Sequence, residues 1–157
     1  MGLVTAFEAA KLEHIGAVHP VCPRKLWQAL ACQVRMGPCW TMFADGQALA
    51  MLGCGPCGQM LEIWFTASAA LARHPKRIAI LRALLVKSLH FLPEFDLVVR
   101  IFDRNAEGQR MARFAGFWPT MELLTEQGPR TWLRPGSITQ QAAAALNFAA
   151  DQTSPGA

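Results

Sequence analysis

The sequence predicts an α/β (α+β) fold built on a largely antiparallel sheet, with one or two crossover helices. Three observations predict it. Asp45-Gly46, a tight-hairpin signal, lies between two apolar runs. A third run, Met60 to Phe65, alternates like a strand. A long apolar helical stretch from Pro75 then precedes a fourth strand-like run, Leu97 to Phe102, so helices and strands interleave.

Length and composition bound the reading. At roughly 100–200 residues per domain, 157 residues make one domain with a sizeable core. Apolar residues are 52% and charged residues 17%, which excludes a disordered chain. The net charge of +4 favours anionic ligands but does not by itself read as nucleic-acid binding. There are five tryptophans, nine phenylalanines and no tyrosine, so chemistry that needs a phenol is excluded. Cysteines at 22, 32, 39, 54 and 57 are odd in number and unevenly spaced, which indicates reduced thiols in a cytoplasmic setting. Met1 to Ala6 lacks a secretory n-region and a myristoylation signal, and no apolar run reaches the ~20 residues of a membrane span.

Each element has a local reason. A helix is expected from about Phe7 to Val18, broken by His19-Pro20. A second begins at Pro23, carries Leu26, Ala29, Leu30 and Val34 at helical spacing, and stops near Gly37-Pro38. Trp40 to Phe43 and Ala48 to Leu52 form the hairpin, and Gly53 to Gly58 reads as a loop. In the next strand Glu62 and Trp64 share one face, and Leu61, Ile63 and Phe65 the other. Ser68 caps a short turn, and the helix from Pro75 buries Ile78, Leu81, Leu85, Leu89 and Leu92. Asn105 caps a helix with a small-residue face, Gly108, Met111, Ala112 and Ala115, ended by Gly116. Strands follow at Met121 to Leu124 and Thr131 to Leu133. The expected organisation is a domain over 1–136 and an alanine-rich helix with a polar tail over 137–157; its few large apolar residues fit a loosely packed terminal helix first, and docking on the domain or on a partner second.

Three motifs carry chemistry. Cys54-Gly55-Pro56-Cys57 matches a redox motif, but that chemistry needs its first cysteine at a helix N-terminus, and a strand-like run follows here. No second Cys/His pair stands at zinc spacing, and the histidines at 14, 19, 74 and 90 are scattered. The run Arg73-His74-Pro75-Lys76-Arg77 opens a helix, where backbone N–H groups and cations suit a phosphate; the alternative is a solvated basic face. The third motif runs from Asn105, with a small residue three positions on, to a terminal Gly116-Phe117.

The Asn105 segment resembles the fourth-helix motif of the GCN5-related N-acetyltransferase (GNAT) superfamily, and the element order is similar over residues 3 to 134. More narrowly, Trp64-Phe65-Thr66, Leu71 to Pro75 and the Asn105…Phe117 helix are similar to small GNAT-like proteins of tailed phages and prophages. The resemblance implies a mixed sheet with a splayed central strand pair that holds acetyl-CoA. Pantetheine would pair with Ile63, Trp64, Phe65 and Thr66, and pyrophosphate would sit on a turn holding Lys76, Arg77 and Ala79 near the Asn105 helix. Leu81 stands where that turn has its second glycine, and Ala112 where many members have a phenol acid. Glu62 is the implied general base toward an amine acceptor, and Cys54 or Cys57 could replace the phenol. The resemblance leaves two functions open: an N-acetyltransferase, or a catalytically degenerate fold in a phage virion that contacts structural proteins through residues 137–150. It implies no metal, no direct nucleic-acid reading and no membrane span.

Overall fold

Thr5 to Ala9 has one large apolar side chain in five residues, so the sequence shows no strand there. In the computed structural model, which describes residues 5–90, 94–137 and 139–141, it is strand β1 (Thr5–Ala9). It pairs antiparallel with β2 (Cys39–Ala44), placing Phe7 opposite Met42. The helix expected from Phe7 therefore starts later, as α1 (Leu12–Val18). Pairing with a distant strand has overridden a local pattern.

Contacts divide the chain into two units, Met1–Phe91 and Leu92–Ala157. In the first, β2 turns through Asp45 (φ 50°) and Gly46 (φ 78°) into β3 (Gln47–Cys57). Two consecutive positive φ values are what a tight hairpin with right-handed twist requires. A second turn at Gly58 leads to β4 (Met60–Ala67), giving the order β1-β2-β3-β4. Residues 53–57, expected as loop, are strand paired residue for residue with β4. Gly53 explains the glycine there. A Cβ at Gly53 would come within 2.6 Å of Cys39 Cβ and of the Trp64 ring, so its absence seats the indole.

Both faces of this sheet are covered. Helix α1 and α2 (Arg24–Met36) lie on one, where Ile15, Val18, Leu30 and Ala31 meet Met51 and Trp64. Of the expected α2 stripe, Leu30 is buried and Val34 partly so, while Leu26 and Ala29 are exposed. Helices α3 (Ala69–Arg73) and α4 (Arg77–His90) supply Leu71, Ile80 and Leu84 to a second cluster with Met42, Leu49 and Leu52. The α4 stripe differs from expectation. Ile80 and Leu84 face inward and Ile78 is 64% exposed; the side chains of Leu85 and Leu89, and Leu92 itself, lie outside the described residues. This helix is apolar on nearly every side, so periodicity cannot choose its buried face.

In the second unit β5 (Leu97–Ile101), β7 (Arg130–Arg134) and β6 (Trp118–Leu123) form an antiparallel set in the order β5-β7-β6. Helix α5 (Ala106–Phe114) buries Ala112, and Ala115 and Phe117 follow it into the core. Residues 137 and 139–141 are helical, anchored by Asp96, whose carboxylate accepts from Gly136 N–H (2.6 Å) and Thr139 Oγ1 (3.0 Å). The rest of the helix expected to 150 lies outside the described residues. Among the described residues no helix is long and apolar enough to cross a membrane.

Candidate functional site

Strand β4 supplies the first group of site residues. Its register with β3 sets Glu62 opposite Gly55, Ile63 opposite Cys54, Trp64 opposite Gly53, Phe65 opposite Leu52 and Thr66 opposite Met51. Side chains alternate, so Glu62, Trp64 and Thr66 share the α1/α2 face and Ile63 packs toward α3/α4. Glu62 is half-buried, and a Cβ at Gly55 would meet nothing within 4 Å, so the sheet surface beside the carboxylate is open. Trp64 is 9% exposed and its Nε1–H finds no acceptor among the described residues. Thr66 Oγ1 lies 2.7 Å from His19 Nε2.

The chain leaves β4 through Ser68, which caps α3 by accepting the Leu71 N–H at 3.3 Å, as expected. Lys76, Arg77 and Ala79 then stand exposed at the start of α4. The first N–H groups of a helix lack intrahelical acceptors and attract anions. Arg77 is partly committed: its Nη1 donates to Ala72 O at 3.0 Å, satisfying a carbonyl at the end of α3. The Lys76 N–H donates to His74 Nδ1 at 3.2 Å, and His74 Nε2 lies 3.9 Å from Asp45 Oδ2 at the hairpin tip. Leu81 packs inward against the Leu71–Ile80–Leu84 cluster, so it does not cover the first turn. The Arg77 N–H donates to His74 O at 3.1 Å, so what suits a phosphate there is chiefly the Lys76 and Arg77 side chains, beside the exposed Ile78.

Asn105 belongs to the second unit. Its Oδ1 accepts the Gly108 N–H at 2.9 Å and caps α5 as the sequence indicates. A Cβ at Gly108 would come within 2.6 Å of Asn105 Nδ2, which explains the small residue three positions on. Ala112 is 6% exposed and offers no proton.

The Cys54–Cys57 pair fails as a redox site. Both residues lie on β3, three apart, so their side chains leave opposite faces of the strand. Cys54 is 1% exposed, and burial, with Cys39 nearby, pushes its thiol up where a reactive thiol needs the opposite shift. Among the described residues no cluster of three or more His, Cys, Asp or Glu could hold a metal.

Two residues are missing from the sequence reading. His14 and His19 read as scattered, yet each bonds a sheet threonine, Thr41 and Thr66. The one available signal is His19-Pro20: proline disfavours helix in the preceding residue and frees that side chain from the helical array.

No protein-family model matches the chain, and no curated protein matches it in sequence. Solved structures do. Ard1 from Thermoplasma volcanium matches with a TM-score of 0.60 at 14% identity, over 84% of this chain and 97% of that one. The ribosomal-protein-S18-alanine N-acetyltransferase from Escherichia coli matches at 0.56 and 11%, over 83% and 91%. An acyl-CoA N-acyltransferase from Pseudomonas aeruginosa matches at 0.56 and 18%, over 86% and 100%. The structural neighbours are GNAT acetyltransferases, and at these identities the likeness shows a shared GNAT fold.

Proposed function

We propose that the chain is an acetyl-CoA-dependent N-acetyltransferase acting on an amine. The observation that carries this reading is the GNAT fold, matched along most of the chain, with β4 running through a cationic turn into α4. Acetyl-CoA, when bound, supplies an acyl group activated as a thioester. The family pattern assigns pantetheine to Ile63, Trp64, Phe65 and Thr66; of these Ile63 and Phe65 turn their backbone groups away from β3, while Trp64 and Thr66 turn theirs toward Gly53 and Met51. The Lys76 side chain at the start of α4 holds its pyrophosphate, and Arg77 fixes the turn through Ala72 and His74 while adding positive charge. Ala79 keeps the approach open. Asn105 is assigned to the cofactor by the family pattern, beside its work as the α5 cap. Glu62 accepts the proton released as the amine attacks. Ala112 gives the leaving sulfur no proton.

Thermal unfolding with and without CoA tests the reading. A ligand that binds only the folded chain raises the midpoint, by about 2.7 kcal/mol of stability at a hundredfold excess over Kd. No shift at millimolar CoA sinks it. In the acetyl-transfer assay Glu62→Gln should lower kcat by about 10²–10⁴, the usual contribution of a positioned base.

The buried methyl of Ala112 favours a second reading, a degenerate GNAT fold serving as a phage virion or accessory protein through residues 137–150. Turnover of any amine decides against it; co-purification with particles in the absence of turnover decides for it.

A further inference from the structure

The turn that carries Lys76 and Arg77 is organised by one residue, His74, between α3 and α4. It is half-buried, while Ala72, Arg73, Pro75, Lys76 and Arg77 around it are exposed. Its backbone N–H donates to Leu71 O at 3.0 Å and its carbonyl accepts the Arg77 N–H at 3.1 Å, so it closes one helix and opens the next. Its imidazole Nδ1 accepts the Lys76 N–H at 3.2 Å. A backbone N–H can only donate, so the neutral ring carries its proton on Nε2. That nitrogen faces Asp45 Oδ2 at the hairpin tip, 3.9 Å away, too far for a hydrogen bond but near enough for the carboxylate to attract the N–H dipole. Pro75 sets up the arrangement. It keeps His74 extended, at φ −69° and ψ 129°, and has no N–H of its own to satisfy. Asn and Asp accept the backbone N–H two residues on in an Asx-turn, and His74 does the same with a ring.

We infer that His74 is a positioning residue for the cofactor's pyrophosphate, acting through the backbone of Lys76 and Arg77; this rests on the acetyltransferase reading above. Both cations leave the chain from residues whose N–H groups end on His74. With those N–H groups committed, the turn offers an anion chiefly its side-chain charge, and the place of that charge depends on the shape of the turn. The Arg77 guanidinium returns to Ala72 O at 3.0 Å and braces the same turn from its other side. Without the imidazole the Lys76 N–H loses its acceptor and the turn loosens. The two cations must then be ordered when the ligand arrives, and that cost appears in affinity.

Calorimetric titration of acetyl-CoA into the full chain tests this. His74→Ala should raise Kd about three- to tenfold, the effect of losing one hydrogen bond and the order it imposes. His74→Leu keeps the bulk without the acceptor, should act alike, and decides the matter if His74→Ala does not fold. His74→Asn, whose amide oxygen can take the Lys76 N–H in an Asx-turn, should bring Kd back to within twofold of the wild type. On a chain that already carries Lys76→Ala, the same His74→Ala change should raise Kd by a smaller factor, because one of the cations it positions is gone. Wild-type binding with His74→Ala within twofold of it overturns this inference and leaves the acetyltransferase reading standing. A loss that asparagine does not recover, or one equally large with and without Lys76, overturns it as well. No binding by the wild type takes down both.

Discussion

The first unit covers its sheet on both faces; the second leaves much of β6 bare. Between α1/α2 and α3/α4, the strands of the first unit bury Met42, Leu49, Met51 and Leu52 and hold Trp64 over Gly53. In the second unit Leu97, Val98, Phe117 and Trp132 are buried, but Trp118 is 69% and Met121 92% exposed, and Phe114 on α5 also faces solvent. Polar ties add to the packing there. Arg130 grips Asp103, Arg100 reaches Thr131 Oγ1, and the Arg113 guanidinium lies 5.6 Å from the Trp132 ring centroid. A two-sided core resists local opening, so β4 is a rigid platform for the proposed chemistry.

The contrast breaks most sharply at Trp64. Trp64→Ala empties the space between α1, α2 and β3, and large aromatic truncations in a core cost about 3–5 kcal/mol. Denaturant unfolding of the purified chain measures it. A loss below 1 kcal/mol would mean that the first unit is not packed as tightly as its burial indicates.

A finer test uses two glycines of one strand. Gly53→Ala drives a methyl into Cys39 and the Trp64 ring, and overpacking of this kind costs about 1–3 kcal/mol. Gly55→Ala meets open space within 4 Å and should change stability by under about 1 kcal/mol, with either sign. Equal effects at both positions would mean that the Trp64 ring does not require a glycine opposite it.

In the second unit a cap and an ion pair give the next tests. Asn105→Ala removes the Gly108 N–H acceptor and should cost about 0.5–2 kcal/mol. Hydrogen exchange should show the loss at the start of α5 and leave β3 and β4 protected. The Asp103–Arg130 fork predicts a pH dependence. Two N–H···O bonds of 2.9 Å hold the Asp103 carboxyl below the usual carboxylate range, hydrogen bonding first and charge attraction adding to it. A depressed native pKa gives stability that is present above the unfolded value of about 3.9 and is lost as pH falls through the native one. The stability difference between wild type and Asp103→Asn should therefore be flat from pH 7 to 5 and shrink below about pH 4. The pair is exposed, so added salt should reduce it too.

What the sequence disclosed follows the same division between local and distant causes. The Asp45-Gly46 hairpin, the Ser68 and Asn105 caps and the alternation of β4 depend on neighbours within a few residues, and each was legible. Strand β1 depends on β2, more than thirty residues on, the strand character of residues 53–57 depends on pairing with β4, and the glycine at 53 depends on a tryptophan in that strand. The partners of His14 and His19 stand 27 and 47 residues away. The site divides in the same way. Lys76 and Arg77 could be read as the opening of a helix after a strand, but the commitment of Arg77 to Ala72 needed the α3–α4 turn in three dimensions. Periodicity could not orient α4, because a helix apolar all round has no preferred face until a sheet selects one.

The smallest effect belongs to the bare strand. Trp118 lies on β6, the outer strand in the order β5-β7-β6, and most of its ring faces solvent. Trp118→Ser removes little packing, and surface substitutions of this kind usually stay within about 0.5 kcal/mol. Denaturant unfolding should therefore place this variant beside the wild type, while Trp64→Ala unfolds far earlier, although both remove an indole. Two tryptophans in one chain would then differ several-fold in their effect on stability for one physical reason: the first is enclosed by helices and strands, the second lies against water. A loss at Trp118 as large as that at Trp64 would mean that β6 is covered in solution, and the contrast between the two units would not hold.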